Sequence, residues 1–288
     1  KVENTSQEPV TLTPYGSVQR IGTPETSGYA ILHEGFLGVL GGSLTEVDYE
    51  DSREEPSIQT LSTGGWLGIT DKYWMTALLP DQAMLFSGRF EYQNRNGRDN
   101  YRARMMMQPL EIPAGDSVEV ESFVFAGAKK VDVIEGYEED IGVERFDRAI
   151  DWGWFYFLTR PLFTLLDIFA SYLGNFGIAI LALTVLIKLA FFQLANKSYI
   201  AMSRMRILQP KMTELRERFK DDKQRQQQEL MALYKNENVN PLSGCLPIVV
   251  QIPVFFALYK VLFVSIEMRH APFFGWVHDL SAPDPMLV

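Results

Sequence analysis

The chain has 288 residues, 47% of them hydrophobic, three histidines, one cysteine and a formal net charge of −9. A single cysteine excludes a disulfide framework and a four-cysteine zinc site, and Cys245, at the edge of an apolar run, reads as an inert buried thiol. Residues 1–150 carry 13 basic and 25 acidic side chains, a balance that argues against a nucleic-acid binder.

KVENTSQEPV has neither a basic start nor an apolar core. An acidic region placed outside a membrane has to be exported, so an upstream anchor is expected. From Val10 to Lys130, short runs rich in aromatic and β-branched residues alternate with Gly, Pro, Asn and Asp. That pattern predicts an antiparallel β-sandwich. Asn96 and Gly97 tolerate the positive φ of a type I′ turn and predict a hairpin. GDSVEVESFVFAG, with Val118, Val120, Phe123 and Phe125 alternating with polar groups, reads as one strand with a wet face. The acidic stretch Glu46 to Glu55 reads as an exposed loop or edge, and no periodic helix is expected before about Val131.

VDVIEGYEEDIGVERFDRAID is charged and is expected to be helical near its end. WGWFYFLTRPLFTLLDIFASYL is aromatic-rich, with Arg160 and Asp167 embedded. It is either a third span or an amphipathic helix lying in the outer interface. The two charges and the short Gly174–Asn175 link favour the interface, with Pro161 opening the main helical portion.

Two apolar runs follow. Phe176 to Ala195 holds one charge, Lys188, and Gly244 to Ile266 holds one charge, Lys260. Each is long enough to cross the roughly 30 Å hydrocarbon layer. Between them, Asn196 to Ser243 carries ten Lys or Arg against six Asp or Glu. Such an excess marks the cytoplasmic side, so the first span runs inward and the second returns. Within this insert Met205, Leu208, Met212, Leu215 and Phe219 step by three and four. Leu230 and Tyr234 offer the return side of an antiparallel coiled coil, and Lys220 to Lys223 form its tip.

The histidines lie far apart, no nucleophile or phosphate-binding motif occurs, and the carboxylates lack metal spacing. Neither an enzyme nor a cofactor is expected. The unusual feature is a charge in an apolar span. Lys188 lies about 18 Å along a helix from Phe176, where a cation costs about 3 kcal/mol and generally serves a wet cavity or bundle interior. The bland alternative is snorkelling, which also explains Lys260. Thr184 is one turn before Lys188. On the second span Gln251 and Phe255 lie one turn apart, Phe255 falls level with Lys188 by the same count, and Pro247 and Pro253 are candidate kinks.

The run SRMRILQPKMTELRERFKDDKQRQQQELMALYKNENVNPLSGCLPIVVQIPVFFALYKVL, followed by EMRHAPFFGWVHDLSAPDP, closely resembles the YidC/Oxa/Alb insertase family. GGWLGITDKYWMTALLP resembles its periplasmic β-supersandwich more loosely. The resemblance implies a hydrophilic groove closed toward the periplasm and open to cytoplasm and lipid. Lys188 matches a position that is usually arginine, and Thr184 and Phe255 match positions that contact the inserting segment. Gln251 comes from the spacing alone.

The resulting expectation is a multi-domain chain of the bacterial inner membrane: a partial all-β supersandwich in the periplasm followed by an α-helical membrane region. Residues 1–140 would form the head, 141–173 an amphipathic interfacial region, and 174–195 and 244–267 transmembrane helices. Residues 196–243 would be a cytoplasmic coiled-coil hairpin and 268–288 a periplasmic loop leading to further helices. The function implied is insertion and folding of membrane proteins, alone or with the Sec translocon, with nascent membrane proteins, the ribosome and the lipid bilayer as partners. The rival is a membrane receptor or sensor with a periplasmic ligand domain and coiled-coil output. A sugar-processing β-sandwich enzyme is weaker, for want of a site.

Overall fold

The computed structural model describes residues 1–26, 32–220, 222–237, 239, 244 and 246–282. Cys245, Asp221 in the hairpin tip and most of the NPLSGC motif lie outside these described residues. The chain divides into two compact units, Lys1–Trp154 with Leu262–Arg269, and Phe155–Val261 with His270–Val288.

The first unit holds strands β1 (Val2–Glu3), β2 (Val10–Leu12), β3 (Tyr15–Ile21), β4 (Gly35–Leu40), β5 (Ser43–Asp48), β6 (Ser57–Thr63) and β7 (Trp66–Thr70). They are followed by β8 (Trp74–Pro80), β9 (Leu85–Arg95), β10 (Arg98–Met107), β11 (Leu110–Ile112), β12 (Ser117–Val118) and β13 (Ser122–Ala128). The larger sheets run β3-β10-β9-β6 and β13-β8-β7-β4-β5, and β1 with β12 and β2 with β11 form two short pairs. Among the described residues all strand pairings are antiparallel.

The two large sheets face one another over a core that includes Phe36, Leu40, Leu67, Leu78, Phe86, Phe90, Tyr101 and Met105. Phe36 stacks on Phe90 at 4.9 Å, and Tyr101 meets Tyr49 edge-on at 4.7 Å. Asn96 and Gly97 turn β9 into β10 with φ of 54° and 76°, as a two-residue hairpin with both central residues left-handed requires. The acidic stretch after Thr45 forms the edge strand β5 and a short helix, α1 (Asp51–Glu54).

β4 and β7 are buried along their whole length, which explains why GFLGVL and WLGIT show no alternation. One face fills the sandwich. The other lies under the segment after β13: Trp66, fully buried, meets Phe146 edge-on at 5.2 Å, and Phe125 meets Phe146 at 5.6 Å. Gly38 in β4 lies against the backbone of the neighbouring strand β7, where a Cβ would sit 2.6 Å from the Trp66 carbonyl. Val143, Phe146, Ala149, Ile150 and Trp152 are all buried, so the unit continues past residue 140 to Trp154.

Two expectations for this region are corrected. GDSVEVESFVFAG forms two strands, β12 and β13, separated at 119–121. Phe125 is buried while Phe123, on the same side of an edge strand, is exposed. The helix in the following charged stretch lies at its start, α2 (Val131–Ile141), and ends at Gly142 with φ of 73°. Only a 3-10 turn, Phe146–Ala149, occurs near its end.

The second unit contains α3 (Tyr156–Leu173), α4 (Phe176–Ala190), α5 (Phe192–Arg218), α6 (Lys223–Asn236) and the body of α7 (Leu246–Val264). α3 starts five residues before Pro161 rather than at it. Pro161 is the sixth residue of the helix, so its ring nitrogen cannot donate to the Phe157 carbonyl and α3 forgoes one bond of its ladder there. Thr159, Leu162, Phe163, Leu166 and Ala170 form its buried stripe, and it packs against α4. Gly174, left-handed at φ of 65°, ends α3. Asn175 begins α4 by accepting from the Ile178 N–H at 3.1 Å.

The run expected as one span to Ala195 is broken at Phe191, where α4 and α5 bend by 58°. Neither Pro nor Gly stands there. α5 and α6 run back along each other: Gln226 donates to the Arg216 carbonyl at 2.9 Å and Lys211 pairs with Glu237 at 2.7 Å. Leu208 is buried, and Met205, Met212, Leu215, Phe219, Leu230 and Tyr234 are half-buried between exposed neighbours.

Candidate functional site

α4 and α7 carry the four residues singled out in the two apolar runs. Lys188 stands in the last turn of α4, where a cation faces the negative end of the helix dipole. The same placement puts it just before the bend, and not in the middle of a straight span. Its ammonium lies 5.6 Å from the centroid of the Phe255 ring. That distance is within cation–π range, an attraction of about 0.5–2 kcal/mol that strengthens as water is excluded.

Thr184, one turn earlier and half-buried, donates its hydroxyl to the Ile180 carbonyl at 2.8 Å. Gln251, half-buried, lies one turn before Phe255 on α7. The surroundings are apolar and open. Leu181 and Val185 are exposed on α4, and Ile248, Ile252, Phe255 and Tyr259 make an exposed stripe with four-, three- and four-residue steps on α7. The Lys188–Phe255 contact belongs to both stripes and is where they meet.

This arrangement offers one cation, a hydroxyl and an amide beside a long apolar surface. It suits an amphipathic chain segment with an anionic or polar end. Among the described residues, no group of three or more His, Cys, Asp or Glu could hold a metal ion.

Pro247 lies in the first turn of α7, where the missing N–H would have no helical partner, so it bends nothing. Pro253 lies inside α7, which runs as one helix from Leu246 to Val264. α7 is long and apolar enough to cross a membrane, and the bent α4–α5 pair meets the same test jointly.

Family comparison decides what this arrangement belongs to. Residues 1–165 match the family model described as YidC periplasmic domain, and residues 168–288 match 60Kd inner membrane protein. The chain belongs to the YidC family. It is 50% identical over 289 residues to the membrane protein insertase YidC of Rhizobium etli, covering 100% of this chain and 48% of that protein. It is 53% identical to the corresponding protein of Beijerinckia indica, covering 99% and 48%, and 52% identical to that of Brucella suis, covering 98% and 47%. The chain thus spans about half the length of the curated relatives it matches. The periplasmic-domain match ends within α3, and the inner-membrane match covers α4 to α7.

Some features of the helical unit were not anticipated. Lys260, expected to snorkel, is only 4% exposed. A lysine's hydropathy says nothing of the neighbours that can enclose it. Ser198, buried on α5, donates to the Gly244 carbonyl at 2.9 Å and so ties the base of the α5–α6 hairpin to the start of α7. The Asn175 amide reaches the Phe273 carbonyl at 3.3 Å, joining the α3–α4 corner to the segment after α7.

Proposed function

We propose that the chain is the working part of a membrane protein insertase, acting through a positively charged groove without a chemical reaction. A short acidic or polar tail of the substrate is drawn to Lys188, which lowers its cost of entering the membrane. The apolar segment slides along α4 and α7 into lipid, driven by hydrophobic transfer. Thr184, Phe255 and Gln251 line the path. One observation carries this reading: a lone cation set on an aromatic ring where two exposed apolar stripes meet.

The α5–α6 pair is read as a cytoplasmic coiled coil that receives the nascent chain or the ribosome, on the strength of its basic excess and its alternating half-buried seam. The β-sandwich stands in the periplasm, α3 lies in the outer interface, and the protein works alone or beside the Sec translocon. Its relatives bear the name of membrane protein insertase, which supports this assignment.

Photo-crosslinkers at Lys188 and Phe255 test the reading. They should capture a stalled nascent membrane protein through its polar tail and its apolar segment respectively. Capture only at lipid-facing controls such as Leu186 would remove the groove from the mechanism.

A further inference from the structure

The end of α7 belongs to the β-sandwich unit, together with the residues that follow it: Leu262–Arg269 fold with Lys1–Trp154. Three contacts account for this. The Lys72 ammonium lies 3.7 Å from the centroid of the Phe263 ring. The Arg269 guanidinium lies 5.6 Å from that of Tyr73. Glu267 accepts from the backbone N–H of Val131, the first residue of α2, at 3.0 Å. A helix N-terminus has N–H groups without intrahelical partners, and its dipole favours a carboxylate.

The receiving side is itself held in place. The Lys72 N–H donates to Glu34 at 3.1 Å, the Lys129 N–H donates to the Tyr73 carbonyl at 2.8 Å, and the Lys129 ammonium reaches the Thr70 hydroxyl at 2.8 Å. Val131, Val264 and Met268 are buried around these contacts. Two segments far apart in sequence, the DKYW of the β7–β8 turn and the EMR after α7, therefore meet.

α7 needs such a fixture. Its 19 residues are apolar on all sides apart from Gln251 and Lys260, so no amphipathic stripe sets its rotation in lipid. We infer that the Lys72–Tyr73 turn and the start of α2 form a socket that holds the end of α7. Phe263, Glu267 and Arg269 are then positioning residues for the last turn of α7, the helix whose earlier turns bear Gln251 and Phe255. The groove proposed above gives this docking its use, but the docking itself stands or falls without it.

Glu267 supplies the sharpest discriminant. Its second carboxylate oxygen is buried with no hydrogen-bond partner among the described residues. Burial, with Asp132 nearby, raises its pKa above the ordinary carboxylate value. The contact itself is a hydrogen bond from the Val131 N–H, which an uncharged amide oxygen can also accept, so Glu267→Gln should preserve it.

Hydrogen–deuterium exchange on the protein in lipid nanodiscs tests the socket without reference to insertion. Lys72→Met, Phe263→Ala and Glu267→Ala should each speed exchange about tenfold at both the first turn of α2 and the last turn of α7. Lys72→Arg and Glu267→Gln should keep parental rates, and the amides of β4 and β7 should be unchanged throughout, showing that the sandwich remains folded. Faster exchange confined to the side that carries the substitution would overturn the inference. So would equal exchange in Glu267→Gln and Glu267→Ala.

Discussion

In the β-sandwich unit Phe36, Leu67, Trp66 and Phe90 are buried while most charged groups meet water, whereas in the helical unit Ile248, Ile252, Phe255 and Tyr259 stand exposed and Lys260 is buried. The difference follows from the solvent each unit meets. Water drives the apolar side chains of the sandwich inward. A lipid-facing helix gains nothing by hiding leucine, so its polar groups are the ones that seek the interior. An exposed apolar stripe on α7 is accordingly a surface matched to hydrocarbon, and the exception that carries information is Lys188, a cation left open among such residues.

The widest separation between the units comes from cutting a buried aromatic out of the sandwich. Trp66→Ala removes a fully buried side chain packed on Phe146 and should cost about 3–5 kcal/mol of sandwich stability. Calorimetry should show the sandwich transition falling steeply in temperature. Protease protection of α4 and α7 in vesicles should stay at the parental level, since the spans are held by lipid. Loss of both together would mean that the two units fold as one and that the contrast drawn here is false.

Next in size is the exposed cation. Lys188→Ala or Lys188→Glu should reduce insertion of an acidic-tailed substrate by up to about a hundredfold, the equivalent of about 3 kcal/mol. Lys188→Arg should retain activity because the charge is kept. Matched substrates with neutral tails should lose less, since transfer of their apolar segment already supplies the drive. Equal insertion of the acidic-tailed substrate by Lys188→Ala and the parent would make Lys188 an ordinary snorkelling residue.

These features differ in how well the sequence announces them, and the reason is the distance over which each is decided. The Asn96–Gly97 hairpin is settled by two residues and their allowed φ. The expectation that Lys188 and Phe255 lie level comes from counting helical rise from two apolar boundaries, and the Lys188 ammonium stands 5.6 Å from the Phe255 ring centroid. Burial of β4 and β7 on both faces depends on Phe146, a residue far along the chain that no alternation rule weighs. The bend at Phe191 has neither Pro nor Gly to mark it, and the union of Lys72 with Phe263 joins residues whose separate motifs say nothing of one another. Local chemistry was legible. Features set by packing between distant segments were not.

A smaller effect probes charge within the sandwich, where ions must be partnered. The His33 side chain is largely enclosed, 10% exposed, with Nδ1 2.7 Å from Asp48 and Nε2 2.8 Å from the Phe36 carbonyl, while its backbone N–H donates to Asp151. Both ring nitrogens face acceptors, an arrangement that suits imidazolium. Burial alone would lower its pKa, but the Asp48 hydrogen bond, the Glu46 charge and the Phe36 carbonyl together raise it above 6.5. A raised histidine pKa contributes stability that is complete below 6.5 and is lost as pH rises through the folded value. The sandwich should thus melt at lower temperature as pH increases above 6.5, an effect on the order of 1 kcal/mol. The His33→Gln protein should lack that slope while keeping its acid-side behaviour.

The smallest effect is that of an exposed ion pair on the α5–α6 hairpin. Lys211 and Glu237 are 2.7 Å apart, but both side chains are well exposed, at 60% and 39%. Water screens such a pair, and ordering two long side chains offsets most of what attraction remains, so the net contribution is about 0.2–1 kcal/mol. Lys211→Ala should leave the helicity and melting of this region within about 0.5 kcal/mol of the parent, and added salt should erase the difference. Leu208→Ala, which removes the buried residue of the same seam, should cost more, about 2 kcal/mol or above, and should be insensitive to salt. A reversed order, with the ion pair outweighing Leu208, would mean that charge and not the apolar seam holds the hairpin together. The coiled-coil reading of α5 and α6 would then lose its physical basis.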